Sequence, residues 1–118
     1  MKMNSETIPF EESLFVNQNA KYILSILNED IQSSSWLLTN GIHKIGRSTD
    51  KEIILDDVTV SRNHAYISVD DDLLVIKDEE STNGIFVNGE LTNESQLKSG
   101  TRIQIGKYFL IVSSLEQS

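Results

Sequence analysis

Nine short stretches of this chain are rich in β-branched, aliphatic and aromatic residues, and polar turn residues separate them from Lys21 onward. They read "KYILSIL", "SWLLT", "GIHKIG", "EIIL", "HAYISVD", "LLVIKD", "IFVNG", "TRIQIG" and "YFLIVSS". In the first, Tyr22, Leu24 and Ile26 share one face, although Ile23 and Leu27 disturb the alternation. In the fifth, Ala65, Ile67 and Val69 alternate with Tyr66 and Ser68. A two-residue period puts one face of a strand in a core and the other in water. No segment sustains a helical period, and the only proline, Pro9, lies ahead of the first strand. Many short strands at regular spacing predict an all-β sandwich over residues 21–115. Residues 1–20 carry scattered apolar positions without a period and are expected to form a flexible tail.

A length of 118 residues with 38% hydrophobic content supports one domain with one modest core. No apolar run approaches the length of a membrane span. The opening "MKMNSETIPFEESLF" has no apolar core or small-residue cleavage site, so it does not read as a secretory signal. The chain has no cysteine, which excludes disulfides and thiolate chemistry and agrees with a reducing cytoplasm. His43 and His64 alone cannot build a histidine-rich zinc site, and no cofactor is expected. Eighteen acids against ten bases give a net charge of -8, the opposite of a nucleic-acid binder's balance. The acidic runs at Asp70–Asp72 and Asp78–Glu80 read as solvated turns. Between Gly41 and His64 the balance shifts to four bases and four acids, which leaves room for a small anion.

Three motifs bear on such an anion. In "IGRS", Gly46 allows a sharp turn, and Arg47 leaves a strand end with a guanidinium fork suited to phosphate oxygens. Ser48 adds a hydroxyl; a surface arginine at a turn is the alternative reading. In "SRNH", Ser61 offers a hydroxyl and Arg62 a second positive charge, while His64 reads as a partly buried imidazole tying loops together rather than as a catalyst. In "ESTNGIFVNG", Asn83-Gly84 and Asn88-Gly89 are turn dipeptides around a very short strand. Asn83 can donate and accept, as an extended peptide backbone requires, and Thr82 adds a hydroxyl. Asn88 is equally readable as simple hairpin chemistry. Paired carboxylates in a cleft, a metal-ligand cluster and a nucleophile elbow are all lacking, so an enzyme is not expected.

In order and spacing, "GRS", "SRNHA" and "STNGIFVNG" together resemble the forkhead-associated (FHA) domain, over roughly residues 21–113. The resemblance implies an eleven-stranded β-sandwich that reads phosphothreonine peptides with loops at one end. It implies that Arg47 and Ser61 hold the phosphate, assisted by Arg62, with Ser48 in the adjoining loop. Thr82 would contact the peptide and Asn83 would hold its backbone, while Gly46, His64, Gly84 and Asn88 shape the loops. Thr59 falls where the family often probes the residue three after the phosphothreonine; a threonine there, rather than an arginine, implies an apolar or undemanding preference.

"EIILDDVTVSRNHAYI" and "RIQIGKYFLIV" carry a narrower resemblance, to the small actinobacterial FHA regulators of 2-oxoglutarate metabolism, the glycogen accumulation regulator and oxoglutarate dehydrogenase inhibitor type. That resemblance implies a tail phosphorylated by serine/threonine protein kinases. The unphosphorylated protein would bind enzymes such as 2-oxoglutarate dehydrogenase or glutamate dehydrogenase; the phosphorylated tail would dock on its own domain and end that binding. In "SETIPFEESLF", Thr7 aligns with the second threonine of the family's tail motif and Phe10 follows three residues later, while Glu6 replaces the first threonine. About fourteen residues of flexible linker span roughly 20 Å r.m.s., enough to approach the loops of a small domain. An FHA scaffold that binds some other phosphorylated protein is the alternative. A monomer is expected, without nucleic-acid or membrane partners.

Overall fold

The computed structural model describes residues 19–115; Thr7 and the rest of the predicted tail through residue 18 lie outside the described residues. The described residues form eleven strands and no helix. In chain order these are β1 (Tyr22–Ile26), β2 (Ser35–Leu38), β3 (Gly41–Gly46), β4 (Ile53–Ile54), β5 (Ala65–Asp70) and β6 (Leu73–Asp78), then β7 (Ile85–Val87), β8 (Glu90–Thr92), β9 (Glu94–Gln96), β10 (Arg102–Ile105) and β11 (Tyr108–Ser114). A six-stranded sheet has the order β2-β1-β11-β10-β7-β8, and a five-stranded sheet the order β4-β3-β5-β6-β9. All pairings are antiparallel except β3 with β4. The all-β sandwich is thus the fold the spacing predicts, with the strand number the resemblance implied. Of the nine sequence runs each became a strand; β8 and β9 are additional.

The inner faces follow the two-residue period. Leu24, Ile85, Ile103, Ile105, Leu110 and Val112 point inward from one sheet; Ile45, Ile67, Val69, Leu74 and Ile76 do so from the other. Each is almost fully buried, and each such side chain contributes roughly 1.5–3 kcal/mol of transfer free energy. Tyr22 and Ile26 pack at the edge of this core.

Strand directions sort the turns into two ends. The β5–β6 and β7–β8 turns lie at the end where β1 starts and β11 finishes. Tyr22 at the start of β1 pairs with Ser114, and its hydroxyl reaches the Asp72 carbonyl in the β5–β6 turn. The β3–β4, β4–β5, β6–β7 and β10–β11 connections gather at the opposite end, called here the loop end.

Candidate functional site

At the loop end, β3 finishes on Gly46, whose Cα lies against the Arg62 carbonyl; any Cβ there would overlap that oxygen. This close approach lets the chain after β3 run beside the chain before β5. The Arg47 amide donates to the Ser61 carbonyl (2.9 Å), the Ser48 amide to the Arg62 carbonyl (3.5 Å), and the His64 amide to the Ile45 carbonyl (3.0 Å). Arg47 and Ser61 are therefore fixed side by side by backbone bonds. Arg47 Nε donates to the Val60 carbonyl at 3.0 Å, which orients the guanidinium and leaves its terminal amines for another acceptor. Ser61 Oγ accepts the Thr82 amide at 3.0 Å and keeps its own hydroxyl proton to donate. Asn83 Nδ2 donates to the Thr59 carbonyl at 3.0 Å, which leaves Oδ1 as an acceptor.

His64 is fully buried beneath these loops. The Ser61 amide can only donate, so Nδ1 of His64 accepts its proton at 3.0 Å, and Nε2–H donates to the Gly84 carbonyl at 2.8 Å. The ring is the neutral Nε2–H tautomer and joins the β4–β5 loop to the β6–β7 loop. Asp78 completes the latter: its carboxylate accepts the Ser81 amide and hydroxyl, and Ser81 Oγ accepts the Gly84 amide at 2.8 Å. Asp78 in the "DEE" run is thus a loop organiser rather than part of a solvated turn.

Thr59 is tied down from both sides. Its hydroxyl donates to Asp57 Oδ2 (2.6 Å) and accepts the Lys107 amide (2.9 Å). The Thr59 hydroxyl and amide, with Lys107 behind them, pull the Asp57 carboxyl down to about 2. Lys107 Nζ pairs with Asp57 Oδ1 at 3.2 Å, and Asp57 in turn raises the lysine above its ordinary value. Asn28, from the β1–β2 loop, holds this β10–β11 turn by donating to the Lys107 carbonyl and accepting the Phe109 amide. With the Thr59 hydroxyl committed, the neighbouring Val58, 91% exposed, is the side chain presented to solvent.

The charges are arranged unevenly. Lys44, Lys51 and Lys107 pair with Glu79, Asp50 and Asp57. The Ser48 hydroxyl and Lys51 hold the Asp50 carboxyl below its usual range. Among the described residues neither Arg47 nor Arg62 forms an ion pair. Arg47, Ser48, Ser61, Arg62, Thr82 and Asn83 thus come together at the loop end, on a frame that includes Gly46, His64 and Gly84. Asn88 does not join them. It closes the β7–β8 turn at the far end of β7, with positive φ, and its Oδ1 accepts the Arg102 amide. Sequence reasoning passed over Asp57, Val58, Asp78 and Lys107; an exposed valine between acids and a threonine, "DDVT", is the one local signal among them.

The sequence model of the FHA domain matches residues 43–106. A protein of Corynebacterium jeikeium named "Oxoglutarate dehydrogenase inhibitor" is 45% identical over 66% of this chain and 54% of its own length. A Mycobacterium tuberculosis protein named "Glycogen accumulation regulator GarA" is 41% identical over 66% of this chain and 48% of its own length. The chain spans about half the length of the curated relatives it matches. A chain solved for "Structural and functional analysis of phosphothreonine-dependent FHA domain interactions" is 32% identical with a TM-score of 0.76, covering 82% of this chain and 99% of that one.

Proposed function

Because the chain belongs to the FHA domain family, we propose that it is a phosphothreonine-reading regulatory protein whose own tail, once phosphorylated on Thr7, occupies the loop site and releases protein partners. The observation that carries this reading is the meeting, at the loop end, of two arginines without an ion pair among the described residues and a Ser61 hydroxyl whose proton is still to donate. A phosphothreonine brings a charge of about -1.5 to -2 and three strong acceptor oxygens. The terminal amines of Arg47, the Ser61 hydroxyl and the Arg62 side chain or backbone supply charge-assisted donors for them, each worth roughly 1.5–3 kcal/mol. Asn83 Oδ1 then accepts a peptide amide, and Thr82 borders the threonine methyl. Val58 beside Thr59 supports an apolar preference three residues on, which Phe10 satisfies for Thr7.

The name of the Corynebacterium jeikeium relative supports an enzyme of 2-oxoglutarate metabolism as the target, 2-oxoglutarate dehydrogenase first. Capture of the tail is intramolecular, so millimolar effective concentration makes even a weak site well occupied. The decisive experiment phosphorylates the protein with a serine/threonine kinase and compares amide NMR spectra. Shifts at Arg47, Ser61, Arg62 and Asn83 that are independent of protein concentration and lost in Thr7→Ala support the switch. Phosphorylation of Thr7 without those shifts would overturn it in favour of a scaffold that reads another protein.

A further inference from the structure

The outer face of the six-stranded sheet is not a polar, solvated surface. Register puts Leu91, Phe86, Gln104 and Phe109 in one row across β8, β7, β10 and β11. Leu91 is 66% exposed and Phe109 49% exposed. Beside this row lies a groove of about 400 Å³, lined by Phe86, Gln104 and Phe109 and bordered at its other side by Arg102, Asn88 and Gly89. Large exposed apolar side chains around a concave surface mark a site that something covers.

We propose that the covering segment is Leu14-Phe15-Val16 of this chain. It is the only run of three aliphatic or aromatic residues ahead of β1. The reach is sufficient. The ladder runs back to Lys21, whose amide donates to the Leu38 carbonyl and whose carbonyl accepts the Leu115 amide, so the Arg102 border of the groove, opposite Ile111, lies four residues back along β11, about 13 Å at strand rise. β10 is the second strand from β1, so the groove is displaced sideways by roughly 10 Å. Phe15 precedes Lys21 by six residues, which extend to about 20 Å. Direction also agrees. The row of Phe86 and Phe109 adjoins the β10–β11 turn, whose Lys107 amide is bonded to Thr59 in the recognition loop. A tail pinned in this groove has already run most of the length of the sheet toward Arg47. Only the eight residues from Phe15 back to Thr7 then remain to span the last distance. The regulatory consequence rests on the tail switch proposed above; the anchor itself does not.

The test uses the full chain, which has no native cysteine. A nitroxide on Ser13→Cys is expected to broaden the amide signals of Phe86, Gln104 and Phe109 at every protein concentration, before any phosphorylation. Adding Leu14→Ser and Phe15→Ser is expected to abolish that broadening, with the domain's own spectrum unchanged. In the phosphorylated protein the same pair should let a competing phosphothreonine peptide displace the tail at about tenfold lower concentration. Broadening that is absent, centred on another face, or proportional to protein concentration overturns the proposal; the last of these would assign the groove to a second copy. The Thr7→Ala protein keeps the broadening if the anchor is right. In the protein phosphorylated on Thr7, absence of shifts at Arg47 and Ser61 while broadening persists would therefore sink the switch and leave the anchor standing.

Discussion

At the far end of the sandwich, Asp71-Asp72 and Asn88-Gly89 turn the chain between strands already paired to each other, each turn steadied by one asparagine. At the loop end a backbone bond from the Glu79 amide to the His64 carbonyl joins the β4–β5 and β6–β7 loops at their bases. Side chains make most of the remaining ties: His64 reaches Gly84, Ser61 reaches Thr82, Asn83 reaches Thr59, and Thr59 takes the Lys107 amide. A far-end turn can therefore be damaged alone. A loop-end residue carries its neighbours with it, which suits a surface that must hold several donors at fixed spacing before a ligand arrives.

The largest contrast is expected between His64→Ala and Asn88→Ala. The first removes a buried ring and orphans the Ser61 amide and the Gly84 carbonyl, for about 2–4 kcal/mol and loss of phosphopeptide binding. The second costs about 1 kcal/mol with affinity unchanged. Urea titrations and peptide titrations of both variants measure this, and equal losses would erase the distinction. Next, Arg47→Ala is expected to weaken a phosphothreonine peptide about a hundredfold while stability changes by no more than about 1 kcal/mol. A smaller and sharper comparison uses two glycines with positive φ. A Cβ at Gly106 would run into Thr59 and Val60, whereas one at Gly89 meets open space. Both Ala variants bear the backbone strain of roughly 1–2 kcal/mol, but only Gly106→Ala should also lower peptide affinity. The smallest effect is a pH dependence. The Asp57 pKa is depressed to about 2, so its stabilising contribution is complete above its ordinary value near 4 and is lost as pH falls toward 2. Melting curves across that window should lose this part of their slope in Asp57→Asn.

The core and nine of the eleven strands were legible because β-branched, aliphatic and aromatic residues gather there in short runs between polar turns, several of them alternating with polar residues. β8 "ELT" and β9 "ESQ" were not: both are short edge strands of mostly exposed polar residues, held by partners rather than by their own pattern. The arginines, Ser61 and the Asn-Gly turns announced themselves by residue type in loops. What holds Thr59 in place was not legible, because its partner Lys107 is 48 residues away. Nothing local could reveal that bond, nor that Asn28 steadies the same turn from 79 residues away.

The chain joins the sandwich at the end remote from Arg47, since Tyr22 stands beside Ser114 and the Asp72 carbonyl. If the tail closes on its own domain, the segment before Tyr22 is a ruler. Fifteen residues separate Thr7 from Tyr22 and extend to about 50 Å. Removing seven leaves about 27 Å, close to the span of the sheet plus its loops. Below that length a phosphothreonine would reach a neighbour's arginine more readily than its own. Such a head-to-tail contact need not close, so shortened, phosphorylated chains are expected to form rings or filaments where the full-length tail gives monomers. Light scattering across a deletion series would show the crossover, and monomers at every length would mean the tail does not bridge to the loops at all.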